Sequence, residues 1–87
     1  MNTSSEVVKQ LQETIEKLQT AQNTLENLIA VHDYQDVAAL VIQASEALLH
    51  AGIALMQSED NNALDLVETA EDLLEEMYKI IDGDLDS

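Results

Sequence analysis

The chain has 87 residues and carries 18 Asp and Glu against three Lys, which gives a formal net charge of −15. A chain of this length forms one domain around one core, and because it has no Cys it offers no disulfide, Cys-ligated zinc site or thiol nucleophile. Three Lys and no Arg cannot build the basic patch on which nucleic-acid affinity depends, so we expect no direct binding to DNA or RNA and no attraction to anionic membranes.

Hydrophobic residues make up 46% of the chain, which favours a folded core over disorder despite the large charge. The first residues lack a basic region followed by an apolar run, so we expect no secretory signal and a cytoplasmic location. The longest mainly apolar stretch, residues 38–56, contains Gln43, Glu46 and His50. A charge at the bilayer centre is costly, so we expect a core helix there rather than a membrane span.

The first predicted helix covers about residues 4–31 and begins with a capping box, in which Thr3 and Glu6 bond each other's backbone amides. Its apolar positions recur at alternating spacings of three and four, which is a heptad pattern with β-branched residues at the first position and Leu at the fourth. Such a pattern favours two-stranded packing. We call this line the helix 1 seam, and it consists of Val8, Leu11, Ile15, Leu18, Gln22, Leu25 and Ile29.

Gln22 is the polar member of the helix 1 seam. A buried polar residue in such a seam can fix the register and the oligomeric state of a coiled coil at some cost in stability. Its long side chain can equally turn its amide towards water at the edge of a bundle. Both interpretations stay open at the level of sequence.

The second predicted helix covers about residues 37–57, with Asp36 as its N-cap. It is apolar nearly all round, so we expect it to be the central helix. One apolar line along it is formed by Val37, Val41, Ala44, Leu48, Ala51 and Leu55. The third predicted helix covers about residues 63–82, where Gly83 suits the left-handed position that ends a helix, and an acidic tail follows over 83–87.

These elements predict an all-α fold with a single domain over residues 1–87, a small antiparallel three-helix bundle built from helical hairpins. At about 1.5 Å per residue the first helix is roughly 42 Å long and the others about 30 Å each, so the first helix overhangs the bundle. A homodimer formed through this long first helix would cover the exposed part of its seam, and a monomer with a kinked first helix is the alternative.

The acidic residues concentrate towards the C-terminus, since residues 59–87 carry a net charge of −10. Carboxylates four residues apart, such as Glu68 and Asp72, repel each other and weaken a helix by about 0.2 to 0.5 kcal/mol per pair. A solvated face that aids solubility is one interpretation, and a field that attracts a basic partner surface is the other. The partner-binding candidates on the third helix are Asp65, Glu68, Glu71, Asp72, Glu75 and Glu76.

Glu46 and His50 lie four apart on the second helix and could act as a general-base pair or as two metal ligands. A metal site needs more ligands, and His32 is the only other imidazole. An EF-hand-like match beginning at Asp60 fails, because Asp65 stands where that loop requires Gly. We therefore expect no catalytic residues, no metal and no cofactor, and we expect that the protein is not an enzyme.

Two functions remain as expectations. In the first, the chain is an acidic inhibitor or antagonist that imitates nucleic acid and blocks the basic surface of a protein partner; phage anti-defence and anti-nuclease proteins are of this general type. In the second, it is an adaptor or co-chaperone, for example of a secretion system, that docks an amphipathic helix on the helix 1 seam. Salt dependence separates the two, because only the first relies mainly on charge.

Overall fold

The computed structural model describes residues 3–30 and 33–86, the last three by their backbone only. It contains three α-helices, α1 over Ser4–Glu26, α2 over Gln35–Met56 and α3 over Asp60–Asp86. Helix α2 packs against both of the others. The predicted all-α fold with three helices in a bundle is confirmed.

Helix α1 begins as predicted and ends earlier than predicted. Thr3 Oγ1 accepts a hydrogen bond from the Glu6 amide at 3.2 Å, and Glu6 Oε2 accepts one from the Thr3 amide at 3.2 Å, so the capping box is confirmed. At the other end Asn27 is the C-cap, and its Nδ2 donates to the Asn23 carbonyl at 2.7 Å. This side chain satisfies a terminal carbonyl, and Ile29 consequently lies beyond the helix.

Helix α2 begins two residues before the predicted start. Its first residue is Gln35 and its N-cap is Tyr34, so Asp36 lies inside the first turn and is not the cap. A carboxylate in the first turn is favourable, because the unpaired amides and the helix dipole give this end a partial positive charge. The predicted N-cap at Asp36 is therefore wrong, since the N-cap lies two residues earlier at Tyr34.

A three-residue turn joins α2 to α3. Ser58 has a φ of 60°, in the left-handed region that normally favours glycine. Its amide donates to the Leu55 carbonyl at 3.1 Å, and the Glu59 amide donates to the Ala54 carbonyl at 2.8 Å. These two bonds are those of a Schellman motif, so the end of α2 is closed by backbone alone and α3 begins immediately afterwards.

Helix α3 is longer than predicted at both ends, and with 27 residues it is the longest of the three. Gly83 lies within the helix at a negative φ and does not terminate it, which corrects the predicted end near residue 82. Glycine in a helix costs about 1 kcal/mol relative to Ala, and no Pro follows to stop the helix. Since α1 has 23 residues and α2 has 22, the overhang predicted for the first helix is absent.

The interface between α2 and α3 is lined by alanine. Two buried clusters form it, each with larger apolar residues of α3 packed around its edge. Small side chains allow two helix backbones to approach closely, at the cost of burying little apolar area per residue. The buried alanines of this interface are Ala44, Ala47, Ala51, Ala54, Ala63 and Ala70.

Helix α1 packs on a different side of α2. The Leu11 side chain lies beside Gly52, and Gln35 Nε2 donates to the Leu25 carbonyl at 2.9 Å. Within the described ranges, no Cα atom of α1 comes within 8 Å of one in α3. The bundle is therefore open, with α2 in the middle of a single layer of helices.

Candidate interaction surfaces

The six carboxylates predicted to bind a partner are all exposed on α3, and they extend from its outer side to both of its flanks. Ala70 faces α2, and successive helix residues turn by about 100°, so Glu68 and Asp72 point almost directly away from α2. The structure brings the six together as one exposed surface, which we call the acidic edge. It consists of Asp65, Glu68, Glu71, Asp72, Glu75 and Glu76, every one of them exposed.

One basic side chain stands at the end of the acidic edge. Lys79 Nζ lies 3.8 Å from Glu75 Oε1, and the two side chains are about two-thirds exposed. An ion pair this open to water contributes little to stability. Lys79 is the one basic residue that the sequence places on α3, so carboxylates greatly outnumber cations on this helix.

Most of the helix 1 seam packs against α2 within the same chain. Ile15 is buried, and Leu11, Leu18 and Leu25 are partly buried. Ile29, the last predicted member, lies outside the helix and is fully exposed. The seam was correctly identified as apolar, and the structure uses it for the intramolecular contact between α1 and α2.

Gln22 is partly buried in the same seam. Its Nε2 donates to Glu26 Oε1 at 3.3 Å, one turn further along the helix. This pair keeps the amide at the surface of α1 and gives it a partner in the same helix.

Glu46 and His50 differ in their surroundings, although they lie four apart on α2. His50 is exposed and borders a shallow cavity with Asn62 of α3, while Glu46 Oε1 is buried without a hydrogen-bond partner in the described part of the chain. Among the described residues, no group of three His, Asp or Glu side chains is placed to hold a metal ion. His32 lies outside the described residues.

The sequence did not reveal which side of α2 would stay uncovered. Val37, Ala44 and Ala51 are buried, whereas the residues four further along each time are exposed. We call these exposed residues, which are spaced seven apart, the α2 stripe: Val41, Leu48 and Leu55. A signal was present, because a helix apolar all round cannot be covered on every side by only two neighbours.

Two cavities show which residues share the face of the layer that lies opposite the α2 stripe. One, of about 430 Å³, is lined by Gln43 of α2, Glu76 of α3 and Glu26 of α1. The other is lined by His50 of α2 and Asn62 of α3. Both linings mix polar and apolar residues, since Leu40 and Ile80 also line the first cavity and Ile53 and Leu66 the second.

A residue two positions along a helix is rotated by about 200° around the helix axis, so its side chain points to the other face of the layer. On α2, Val41 lies two positions from Gln43 and Leu48 two positions from His50, and both belong to the α2 stripe. On α3 they are Leu64 and Tyr78, which are 64% and 62% exposed. We call this surface the apolar face, and it consists of Val41, Leu48, Leu55, Leu64 and Tyr78.

Helix α2 also meets the length and composition criteria for a membrane span. It contains a window of mean hydropathy 1.6, and 33% of that window is buried. The core helix of a soluble protein meets the same criteria. The described helix carries Asp36 and Glu46 and packs against two amphipathic helices, so its role as a core helix stays our prediction.

Comparisons with protein-family models, with curated proteins and with solved structures returned no match. The function is therefore inferred from the surfaces of the chain alone.

Proposed function

We propose that the protein is a non-enzymatic interaction module, an acidic antagonist that binds the basic surface of a protein partner with the acidic edge of α3. The observation that carries this proposal is the edge itself. Six exposed carboxylates lie within 12 residues of one helix, and Glu68 and Asp72 among them point away from α2. A rigid helix holds them in fixed positions, so little ordering is needed on binding.

The chemistry of such an edge resembles that of a nucleic-acid strand. At a rise of about 1.5 Å per residue, the six charges are spaced by roughly 3 Å along the axis, close to the 3.4 Å spacing of phosphates on one strand of DNA. Lys and Arg side chains that hold phosphates would meet carboxylates at a similar density. The partner class is thus a protein with a basic groove, such as a nuclease or a DNA-binding regulator, and binding would block that groove.

The strong acidity also acts before contact. A field of one sign attracts a basic surface over a distance of about one Debye length, roughly 8 Å at physiological ionic strength. It raises the rate of association and disfavours wrong, acidic partners. The same field weakens α3 through like-charge pairs, a repulsion that a basic partner removes when it binds.

The test compares two triple amide variants with equal net charge. One carries Glu68→Gln, Asp72→Asn and Glu75→Gln on the acidic edge. The control carries its three amides elsewhere, as Glu13→Gln, Glu16→Gln and Glu26→Gln on α1, where all three residues are exposed.

Each protein is immobilised, exposed to extract of its native cell and eluted with rising salt, with and without duplex DNA as a competitor. We expect the wild type and the α1 variant to retain a common partner that DNA displaces, and the edge variant to release it at much lower salt. If the edge variant retains that partner as firmly as the α1 variant does, the acidic edge is not the binding surface and the proposal fails.

Homodimerisation is a separate proposal. Because Ile15 and its neighbours pack on α2, a dimer through the helix 1 seam would use the remaining exposed part of that seam. Sedimentation velocity of the wild type and of Gln22→Ile tests it, since Ile at this position should tighten a coiled-coil contact. Two unchanged monomers would contradict the dimer. The adaptor alternative would likewise use the part of the seam that α2 leaves exposed.

A further inference from the structure

The apolar face is a feature of the molecule that the acidic edge does not explain. Val41, Leu48 and Leu55 are 41%, 48% and 59% exposed, and their spacing of seven places them on one side of α2, displaced by about 20° from one to the next. Their spacing of seven residues places the outer two about 21 Å apart along the helix axis. Large apolar side chains that are grouped on one face mark an interaction surface more often than singly exposed ones do.

A second line runs along α3 beside the α2 stripe. Leu64, Glu71 and Tyr78 are also seven apart and share one side of the helix. Glu71 belongs to the acidic edge, so the apolar face and the acidic edge meet along this line. The shallow surface between α2 and α3 is therefore apolar along α2 and bordered by carboxylates along α3.

This combination selects the chemistry of the occupant. The apolar lines match the length of about four helical turns, which suits a helix that lies lengthwise on the layer. The acidic border suits Lys and Arg on the flank of that helix. A second copy of the chain would bring the same carboxylates and a further net charge of −15 to the contact, whereas a basic helix supplies the opposite charge.

We infer that the apolar face binds an amphipathic helix of the partner, with apolar residues towards Val41, Leu48 and Leu55 and a Lys- or Arg-rich flank towards the acidic edge. This inference rests on the proposed function and specifies what the partner presents. The acidic edge supplies attraction and orientation, and the apolar face supplies the buried contact that holds the complex.

The test uses two synthetic 18-residue peptides made of the same Leu and Lys residues. In the ordered peptide Leu and Lys segregate to opposite sides of a helix, and in the scrambled peptide they do not. Binding of the full chain is measured by calorimetry at physiological salt. The stripe variant carries Val41→Gln, Leu48→Gln and Leu55→Gln, and because Gln is a good helix former and the sites are exposed, we expect α2 to stay folded.

We expect the wild type to bind the ordered peptide about tenfold or more tightly than the scrambled one. In the stripe variant the ratio of the two affinities, ordered over scrambled, should fall close to one, while the affinity for the scrambled peptide stays unchanged. The edge variant Glu68→Gln, Asp72→Asn, Glu75→Gln should weaken both peptides by a similar factor. Leu48→Gln alone should lower this ratio in part. It replaces the stripe variant in the test if circular dichroism shows that the triple change unfolds the chain.

Three results would overturn the inference. The first is an unchanged ratio in the folded stripe variant. The second is a wild-type dimer that the stripe variant converts to a monomer, which would assign the face to a second copy. The third is binding to phosphatidylcholine vesicles that the stripe variant loses, which would assign it to a membrane. Failure of the proposed function looks different, because the edge variant would then bind both peptides like the wild type.

Discussion

Helix α2 meets its two neighbours with different kinds of side chain. Against α3 it presents alanines such as Ala47 and Ala54, whereas against α1 the buried Ile15 is the anchor and Leu11 lies on Gly52. The interface with α3 combines six buried alanines with larger apolar residues of α3 at its edge, while the α1 interface relies on a few large ones. We therefore expect α1 to be the part of the bundle that is lost first when the structure is weakened.

The largest effect is expected at the anchor of α1. Ile15→Ala removes a side chain that is 5% exposed, and truncations of this kind cost about 2 to 5 kcal/mol of unfolding free energy. Urea denaturation measures the loss, and hydrogen exchange should show the α1 amides losing protection before those of α2 and α3. Gln19→Ala, on an exposed position of the same helix, is the control and should change stability by less than about 0.5 kcal/mol. Equal loss of protection in all three helices would show that the two interfaces unfold as one unit.

The alanine interface should respond to the opposite change. Ala70 is 1% exposed, so Ala70→Leu inserts a large side chain where the backbones are close, and such overpacking typically costs about 1 to 3 kcal/mol. Thermal unfolding provides the measurement, with Thr69→Leu at the neighbouring exposed position as the control. A Leu accepted at position 70 without loss of stability would mean that α2 and α3 are not closely packed there.

The turn between α2 and α3 offers a stabilising change. Ser58 adopts a φ of 60°, and a residue with a Cβ atom in this region costs about 1 kcal/mol or more relative to glycine. Ser58→Gly should therefore raise the free energy of unfolding by about 1 kcal/mol. Ser58→Ala keeps the Cβ atom and should bring no gain. If both variants behave alike in urea denaturation, the left-handed conformation carries no strain.

The smallest effect should come from the contact between Gly52 and α1. A Cβ atom at this position would lie 3.6 Å from Leu11 Cδ1, an ordinary van der Waals distance. Gly52→Ala should thus stabilise the protein by about 0.5 to 1 kcal/mol through helix propensity. Gly83→Ala is the matched control, since it adds the same methyl to α3 with no atom within 4 Å. A net loss at Gly52 beside a gain at Gly83 would show that α1 has no room to move.

The positions of the helices could be predicted from the sequence because heptad spacing, the capping box at Thr3 and the missing Pro act locally. The acidic edge could be predicted for the same reason, since residues on one helix share a side by periodicity alone. Helix ends were harder: Asn27 ends α1 by bonding a backbone carbonyl, and Gly83 continues α3 where glycine often stops a helix. These outcomes depend on competition between local conformations that differ by about 1 kcal/mol.

The apolar face could not be predicted, because it depends on how the helices are arranged around α2. In a closed bundle Leu48 would face a neighbouring helix, but in this layer it faces water. The sequence pattern of α2 is compatible with either arrangement. Only the observation that α1 and α3 lie on different sides of α2, with no Cα atoms of the two within 8 Å in the described ranges, shows which apolar residues remain exposed.

The alanine interface repeats along both helices, since Ala44 and Ala51 are seven apart and so are Ala63 and Ala70. Sliding one helix past the other by seven residues would place alanine on alanine again, so small side chains by themselves select no unique alignment. The three-residue turn at Ser58 prevents this shift by fixing where α3 must begin. The alignment of the hairpin is thus determined by its connection. A longer turn would allow α3 to shift along α2 by seven residues while alanine still packs on alanine.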